Sequence, residues 1–122
     1  MPPFHSLYRH GFVRAALCAP VLALAHPRAN AQASIAMARE AAADGAGLVL
    51  FPEMGLCGYS TEDLLLQAAL LDAVEAAVAS VAEATADLRP LIMLGAPLRL
   101  GHSVSIAPWC CIAAGCWGWC RK

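Results

Sequence analysis

No block of like charge runs along this chain. Its 8 basic and 9 acidic residues leave a formal net charge of −1. That balance lacks both the clustered Lys/Arg footprint of a nucleic-acid binder and the acidic run of a solvating tail. No apolar stretch is long enough to span a bilayer. The stretch from Leu64 to Ala82 is broken by Gln67, Asp72 and Glu75, whereas a membrane helix needs ~18 apolar residues in succession. There is no internal repeat and no low-complexity segment. Tryptophan is missing from the first 108 residues, and Trp109, Trp117 and Trp119 are all in the tail.

What is present is alanine and aliphatic side chain. Hydrophobic residues make up 60% of the 122, above the roughly 45–50% of an ordinary soluble domain. Much of the excess is alanine, which favours helix and adds little to a core. A chain of this length buries only about two-thirds of its unfolded surface, so the core has little reserve.

Phe12 to Ala19 reads as a short buried strand, with Val13, Ala15, Leu17 and Ala19 on one face and Pro20 near its end. Asn30 is a candidate N-cap for a helix over Ala31 to Asp44, with Ile35, Ala38 and Ala42 at helical spacing. Gly45 suits the left-handed residue that ends many helices. Gly47 to Phe51 is a continuous apolar run, as in a strand covered on both faces. Ser60 and Asp63 resemble a capping box. Leu70, Val74, Val78 and Val81 then define an amphipathic helix to about Asp87, and Leu91 to Leu94 gives another strand, ending at Gly95. Strand, helix, strand, helix, strand in that order predicts an α/β layer with parallel strands and right-handed crossovers.

The amino terminus has a second reading. Arg9 and Arg14 precede an apolar run from Ala15 to Ala25, and Ala29-Asn30-Ala31 resembles a cleavage site, the parts of a secretory signal peptide. Pro20 and His26-Pro27-Arg28 interrupt that pattern.

The chemistry sits in Phe51-Pro52-Glu53-Met54-Gly55-Leu56-Cys57-Gly58-Tyr59-Ser60. A carboxylate directly after a buried strand lies where open α/β sheets place ligands. The glycines and proline let backbone approach a substrate closely, and a glutamate held there can serve a nucleophile as general base. Read by itself, such a carboxylate is more often a solvated loop charge.

Phe51-Pro52-Glu53 after a Leu-Val-Leu strand, preceded by an alanine-rich helix ending Asp44-Gly45-Ala46, resembles the carbon–nitrogen hydrolase (nitrilase) superfamily. Ser6-Leu7-Tyr8-Arg9-His10-Gly11-Phe12-Val13-Arg14, Gly58-Tyr59-Ser60, Asp63-Leu64-Leu65-Leu66-Gln67 and Gly95-Ala96-Pro97-Leu98-Arg99 resemble more narrowly the amino-terminal glutaminase domain of glutamine-dependent NAD synthetases. The resemblance covers residues 4–101, an incomplete domain. It implies the first β-α-β-α-β unit of an α-β-β-α sandwich, with the segment around Phe12 to Ala19 as a core strand and no cleavage after it. It implies Glu53 as general base and Tyr59 lining the substrate pocket, with no metal. The family's lysine and nucleophilic cysteine have no match in this sequence. Glutamine is the implied substrate, hydrolysed to supply ammonia for amidating deamido-NAD. ATP, deamido-NAD and a homo-oligomeric state belong to the full-length relative; this fragment carries no cofactor and is expected to be inactive. The implied setting is cytoplasmic, with neither nucleic acid nor membrane as partner. Two rivals are a fragment of another nitrilase-family amidase and a short exported protein with a cysteine-rich tail.

Residues 102–122 do not match the family. Cys110, Cys111, Cys116 and Cys120 crowd the end, but their spacings fit no two-pair zinc pattern. With synonymous codons chosen freely, the stretch from Pro108 read one base out of phase encodes AVVLHRGRLLGVVPK. That peptide is a strand, an Arg-Gly-Arg turn and a second strand ending Pro-Lys, as the family shows here. The reading is a frameshift between about Gly101 and Val104, in the gene or its sequencing. Lys122 then has no role of its own.

Overall fold

The computed structural model describes residues 3–112 and the backbone of residues 115–119. The predicted unit is present as β1 (Ala15–Leu17), α1 (Pro27–Ala43), β2 (Leu48–Leu50), α2 (Ala68–Ala84) and β3 (Leu91–Leu100). Strand β1 pairs parallel with β2, and β2 parallel with β3. The sheet then continues through β4 (Ser103–Ile112) and β5 (Gly115–Trp119), both antiparallel, giving the order β1-β2-β3-β4-β5.

Each helix buries a stripe of small or branched side chains. On α1 it is Ala31, Ser34, Ala38 and Ala41; on α2 it is Leu70, Leu71, Val74, Ala77, Val78, Val81 and Ala82. All four residues predicted for the apolar face of α2 lie in it. Val49, Ile92, Leu94 and Ala96 come from the sheet to the same core cluster. A fully buried aliphatic side chain contributes about 1.5–3 kcal/mol by leaving water, so this helix-covered face holds the fold together. The Arg39 guanidinium also joins α1 to the end of α2 through Asp87 and the Ala84 carbonyl. That ion pair is exposed at both ends, and such pairs contribute little.

Several local expectations are corrected. The first strand is three residues rather than eight, because its partner β2 offers only three pairing positions. The face that carries Val13, Ala15, Leu17 and Ala19 is the open one: Ala16 and Cys18 turn inward, while Leu17 is 79% exposed. Strand β2 is covered on one face only, with Val49 buried and Leu50 exposed. Asn30 is not the cap of α1. The helix starts at Pro27, whose fixed φ suits a first helical position, and the His26 ring Nδ1 accepts from the Ala29 N–H at 3.1 Å. Gly45 does end it, at φ +83°. Ser60 and Asp63 form no capping box. They belong to a kinked 3-10 segment, Tyr59–Leu66, and α2 begins only at Ala68 without a side-chain cap. Helix α2 stops at Ala84, where the Thr85 hydroxyl turns back to donate to the Val81 carbonyl.

Strand β3 runs past Gly95 to Leu100 because β4 supplies nine antiparallel partners. Gly101 and His102 make the two-residue turn between them, with Gly101 at φ +60°. The point where the family resemblance ends in the sequence therefore falls on a hairpin turn. Among the described residues no single helix is long and apolar enough to cross a membrane.

Leu94, 2% exposed on the helix-covered face, and Leu17, 79% exposed on the open one, give a direct comparison. Leu94→Ala is expected to cost about 2–5 kcal/mol and Leu17→Ala less than about 0.5 kcal/mol, read from urea unfolding midpoints. Equal losses would mean that the open face is packed in solution.

Candidate functional site

Strands β1, β2 and β3 are parallel, so their carboxyl ends share one edge of the sheet, and Glu53 follows β2 there. The Phe51 N–H still reaches β3, donating to the Met93 carbonyl at 3.0 Å. Pro52 then ends the ladder, having no N–H to give. Beyond it the chain closes into consecutive tight turns: Gly55 N–H donates to Pro52 O at 3.0 Å, and Cys57 and Gly58 N–H donate to Met54 O at 3.2 and 2.7 Å. Met54, Leu56 and Cys57 point inward and are buried, while Glu53 and Tyr59 are exposed. The turn is anchored by its apolar side chains and presents its carboxylate to solvent.

The backbone of Pro52 and Glu53 lies directly on β3. A Cβ built at Gly95 would stand 2.0 Å from the Glu53 carbonyl oxygen and 2.3 Å from that of Pro52. No side chain fits between them. The Leu56 N–H then donates to the Gly95 carbonyl at 3.3 Å, tying the far side of the turn to the same strand residue. Gly58, at φ +86°, occupies backbone space open to glycine, and a Cβ there would press on Leu24 at 3.2 Å. The glycines of this segment thus serve the turn's own packing.

Neither Cys18 nor Cys57 is poised as a nucleophile. Burial pushes the Cys57 thiol up to about 11, so it stays protonated and unreactive at neutral pH. Cys18 is raised too, by burial and then by the charge of Glu40. The sequence's only lysine, Lys122, lies outside the described residues, as do the side chains of Cys116 and Cys120. Of the glutamate, lysine and cysteine that the resemblance implies, the described structure places the glutamate. Among the described residues no three His, Cys, Asp or Glu side chains gather as a metal site would require. A cavity of about 680 Å³ lined by Tyr8, Arg39, Gly45, Asp87 and Arg89 lies beside the turns that lead into β2 and β3, at the opposite end of those strands from Glu53.

Two residues central to this geometry were not legible as such. Gly95 read as a strand end, although a glycine inside an apolar strand often marks close backbone approach. Asn30 read as a helix cap. The available signal was Pro27, which suits a first helical position and would put Asn30 inside the helix instead of at its cap.

Gly95→Ala is expected to destabilise the fold at the upper end of the ~1–3 kcal/mol typical of overpacking, because the atoms it meets are backbone. Gly101→Asn, in open space at a left-handed turn, should cost well under half of that by the same unfolding measurement. Alkylation of Cys57 by iodoacetamide should stay slow through about pH 9 and accelerate only as the pH nears the raised thiol value of about 11, read by mass spectrometry of its peptide. Fast labelling at about pH 8, near the ordinary thiol range, would show that the thiol is not sealed.

The carbon-nitrogen hydrolase family matches residues 14–100. Glutamine-dependent NAD(+) synthetase of Mycobacterium tuberculosis is 50% identical over 101 residues, covering 83% of this chain and 15% of that protein. The Mycobacterium leprae enzyme of the same name is 44% identical over the same span. The chain therefore spans about a seventh of the length of these relatives. Among solved structures, a glutamine-dependent NAD(+) synthetase from Cytophaga hutchinsonii superimposes with a TM-score of 0.80 at 19% identity, over 88% of this chain and 18% of that one. An amidase from Nesterenkonia sp. superimposes with a TM-score of 0.75 at 21% identity, over 90% of this chain and 42% of its own. Both likenesses concern the fold, and they place β1 to β3 with their helices in a nitrilase-type architecture. By the match over residues 14–100, carrying Glu53 on its turn after β2, this chain belongs to the carbon-nitrogen hydrolase family.

Proposed function

We propose that residues 4–101 are the opening part of a glutamine amidohydrolase domain, with Glu53 as its general base and Tyr59 lining the substrate pocket. The observation that carries this reading is the placement of Glu53: an exposed carboxylate on a turn locked to β3 at Gly95. A base must be held in place to take a proton in the transition state. In this scheme Glu53 accepts the proton of a cysteine thiol lying beyond these residues. The thiolate adds to the side-chain carboxamide carbon of glutamine, and a lysine ammonium stabilises the oxyanion. As the C–N bond breaks, the proton passes from Glu53 to the departing ammonia, leaving a thioester. Water, deprotonated by Glu53, then releases glutamate and restores the thiol. In the full-length protein the ammonia amidates deamido-NAD at the expense of ATP, within a homo-oligomeric cytoplasmic enzyme. The 50% identity to a glutamine-dependent NAD(+) synthetase favours this substrate over that of another amidase.

We further propose that residues 102–122 are an out-of-phase reading of the family's next two strands. Three observations support it. Strands β4 and β5 form an antiparallel pair at the place where the recoded peptide has two strands. The codons of its Arg-Gly-Arg turn overlap those of residues 112–115, between the end of β4 at Ile112 and the start of β5 at Gly115. And Trp109, near the start of the recoded stretch, buries its indole N–H without a hydrogen-bond partner among the described residues. A buried donor left unpaired costs about 1–3 kcal/mol, and the recoded peptide places valine over that codon.

Nucleotide reads across the codons for residues 95–122 and several hundred bases beyond test this. The expected result is a frame change between about Gly101 and Val104 that opens into AVVLHRGRLLGVVPK and a downstream cysteine. Unambiguous reads of the cysteine-rich tail, with no family-like continuation in another frame, would refute it. The 122 residues alone are expected to release no ammonia from glutamine. The frame-corrected protein should do so, and its Glu53→Gln variant should be slower by roughly 10²–10⁴-fold.

A further inference from the structure

We propose that Asn30 is a positioning residue for this site, resting on the reading of Glu53 as general base. Its side-chain amide clips the β1–α1 loop onto the Glu53 turn at Leu56, three residues beyond the carboxylate.

Asn30 lies in the opening turns of α1 and is 1% exposed. A buried amide is tolerated only when its donors and acceptor are matched. Here Oδ1 accepts from the Ala23 N–H at 2.8 Å, while Nδ2 donates to the Ala23 carbonyl at 2.8 Å and to the Leu56 carbonyl at 2.9 Å. The first two bonds hold one loop residue by both its backbone groups, as a strand partner would. The third crosses to the Glu53 turn. A planar amide supplies donor and acceptor together, which neither a carboxylate nor a hydroxyl does in that geometry.

Leu56 is the receiving point. It is fully buried, and its N–H already donates to the Gly95 carbonyl. Its peptide groups are thus held from β3 on one side and from α1 on the other, three residues beyond Glu53. Two further contacts join the same loop to the same turn. The Ala25 N–H donates to the Cys57 carbonyl at 2.8 Å, and Leu24 packs over Gly58. Ala25 sits at φ +52°, a left-handed conformation that alanine adopts only when its surroundings impose it. The loop leaves Val21 and Leu24 exposed, at 96% and 56%, at the carboxyl edge of the sheet. Ser34, one turn further along α1 and as deeply buried, makes its hydrogen bond within the helix, donating to the Asn30 carbonyl. It therefore serves as the matched control.

The test is made in a chimera of the Mycobacterium tuberculosis glutamine-dependent NAD(+) synthetase carrying residues 14–100 of this chain in place of its own matching segment. Ammonia release from glutamine is measured for the parent chimera and for its Glu53→Gln, Asn30→Asp, Asn30→Ala and Ser34→Ala variants, with kcat and KM separated, a pH profile, and Tm. Loss of positioning should lower kcat at least about tenfold in both Asn30 variants, since an ångström of misplacement is worth up to ~10²-fold. The acidic limb of their pH profile should move. Ser34→Ala, equally buried in the same helix, should keep kcat within about twofold at a similar Tm loss. Asn30 variants within twofold of the parent, or Ser34→Ala losing as much as they do, overturn the proposal. A chimera as active with Glu53→Gln as without overturns the reading of Glu53 and leaves the clamp to hydrogen exchange. The same exchange measurement decides if the parent is inactive. Asn30→Ala should then lose protection within residues 19–26 and 53–58 while α2 stays protected, and unchanged protection there overturns the clamp.

Discussion

The backbone of Pro52 and Glu53 crosses β3 at a strand position without a side chain. That contact decides where the carboxylate stands. Gly95 removes the Cβ that would lie 2.0 Å from the Glu53 carbonyl oxygen, and its own carbonyl receives the Leu56 N–H. Two points of the turn are thereby referred to the same residue of the same strand. Strand β3 is in turn held by α2 on one face and by β2 and β4 at its edges. A rigid sheet and a missing methyl group thus do for Glu53 what a longer loop could not, because a loop relaxes at little cost whereas a packed strand does not.

The same packing that positions the glutamate silences the nearest thiol. Cys57 is four residues away in sequence, yet it turns into the core with Met54 and Leu56. Its raised pKa follows from burial alone. Exposed and buried residues mix within one short turn. The apolar side chains anchor it, and the charged one is presented. This is why the carboxylate can be both solvent-facing and fixed.

The sheet is covered by helices on one face only. Leu17 and Leu50 leave the other face apolar and open, and among the described residues nothing pairs with the outer edge of β1. A nitrilase-type sandwich places a second sheet against such a face, so the exposed aliphatic side chains mark where this unit is one half of a larger packing problem. The hairpin of β3 and β4 shows how strongly β3 templates its neighbour. A segment of unusual composition still pairs along nine consecutive positions, but the indole N–H of Trp109 finds no partner among the described residues. Backbone pairing tolerates the side chains of that segment; their burial does not suit them.

Much of this was legible from residue pattern. Leu70, Val74, Val78 and Val81 announced α2 because branched side chains at that spacing line up on one face only in a helix. Gly45 announced the end of α1 because left-handed backbone favours glycine. The Phe51-Pro52-Glu53 motif located the carboxylate at a strand end. What the pattern misplaced or left open were properties belonging to pairs of segments. The inward face of β1 depends on its register with β2, and a shift of one residue inverts every side chain. Asn30 looked like a cap because its local chemistry allows it; its real partners, Ala23 and Leu56, lie 7 and 26 residues away. The order of elements, the family and the identity of the catalytic candidate were all written in the linear chain, since they follow from local periodicity and one contiguous motif. Which face is core, why residue 95 is glycine and what holds the Glu53 turn emerged with folding alone, because each is a contact between atoms that are distant along the chain.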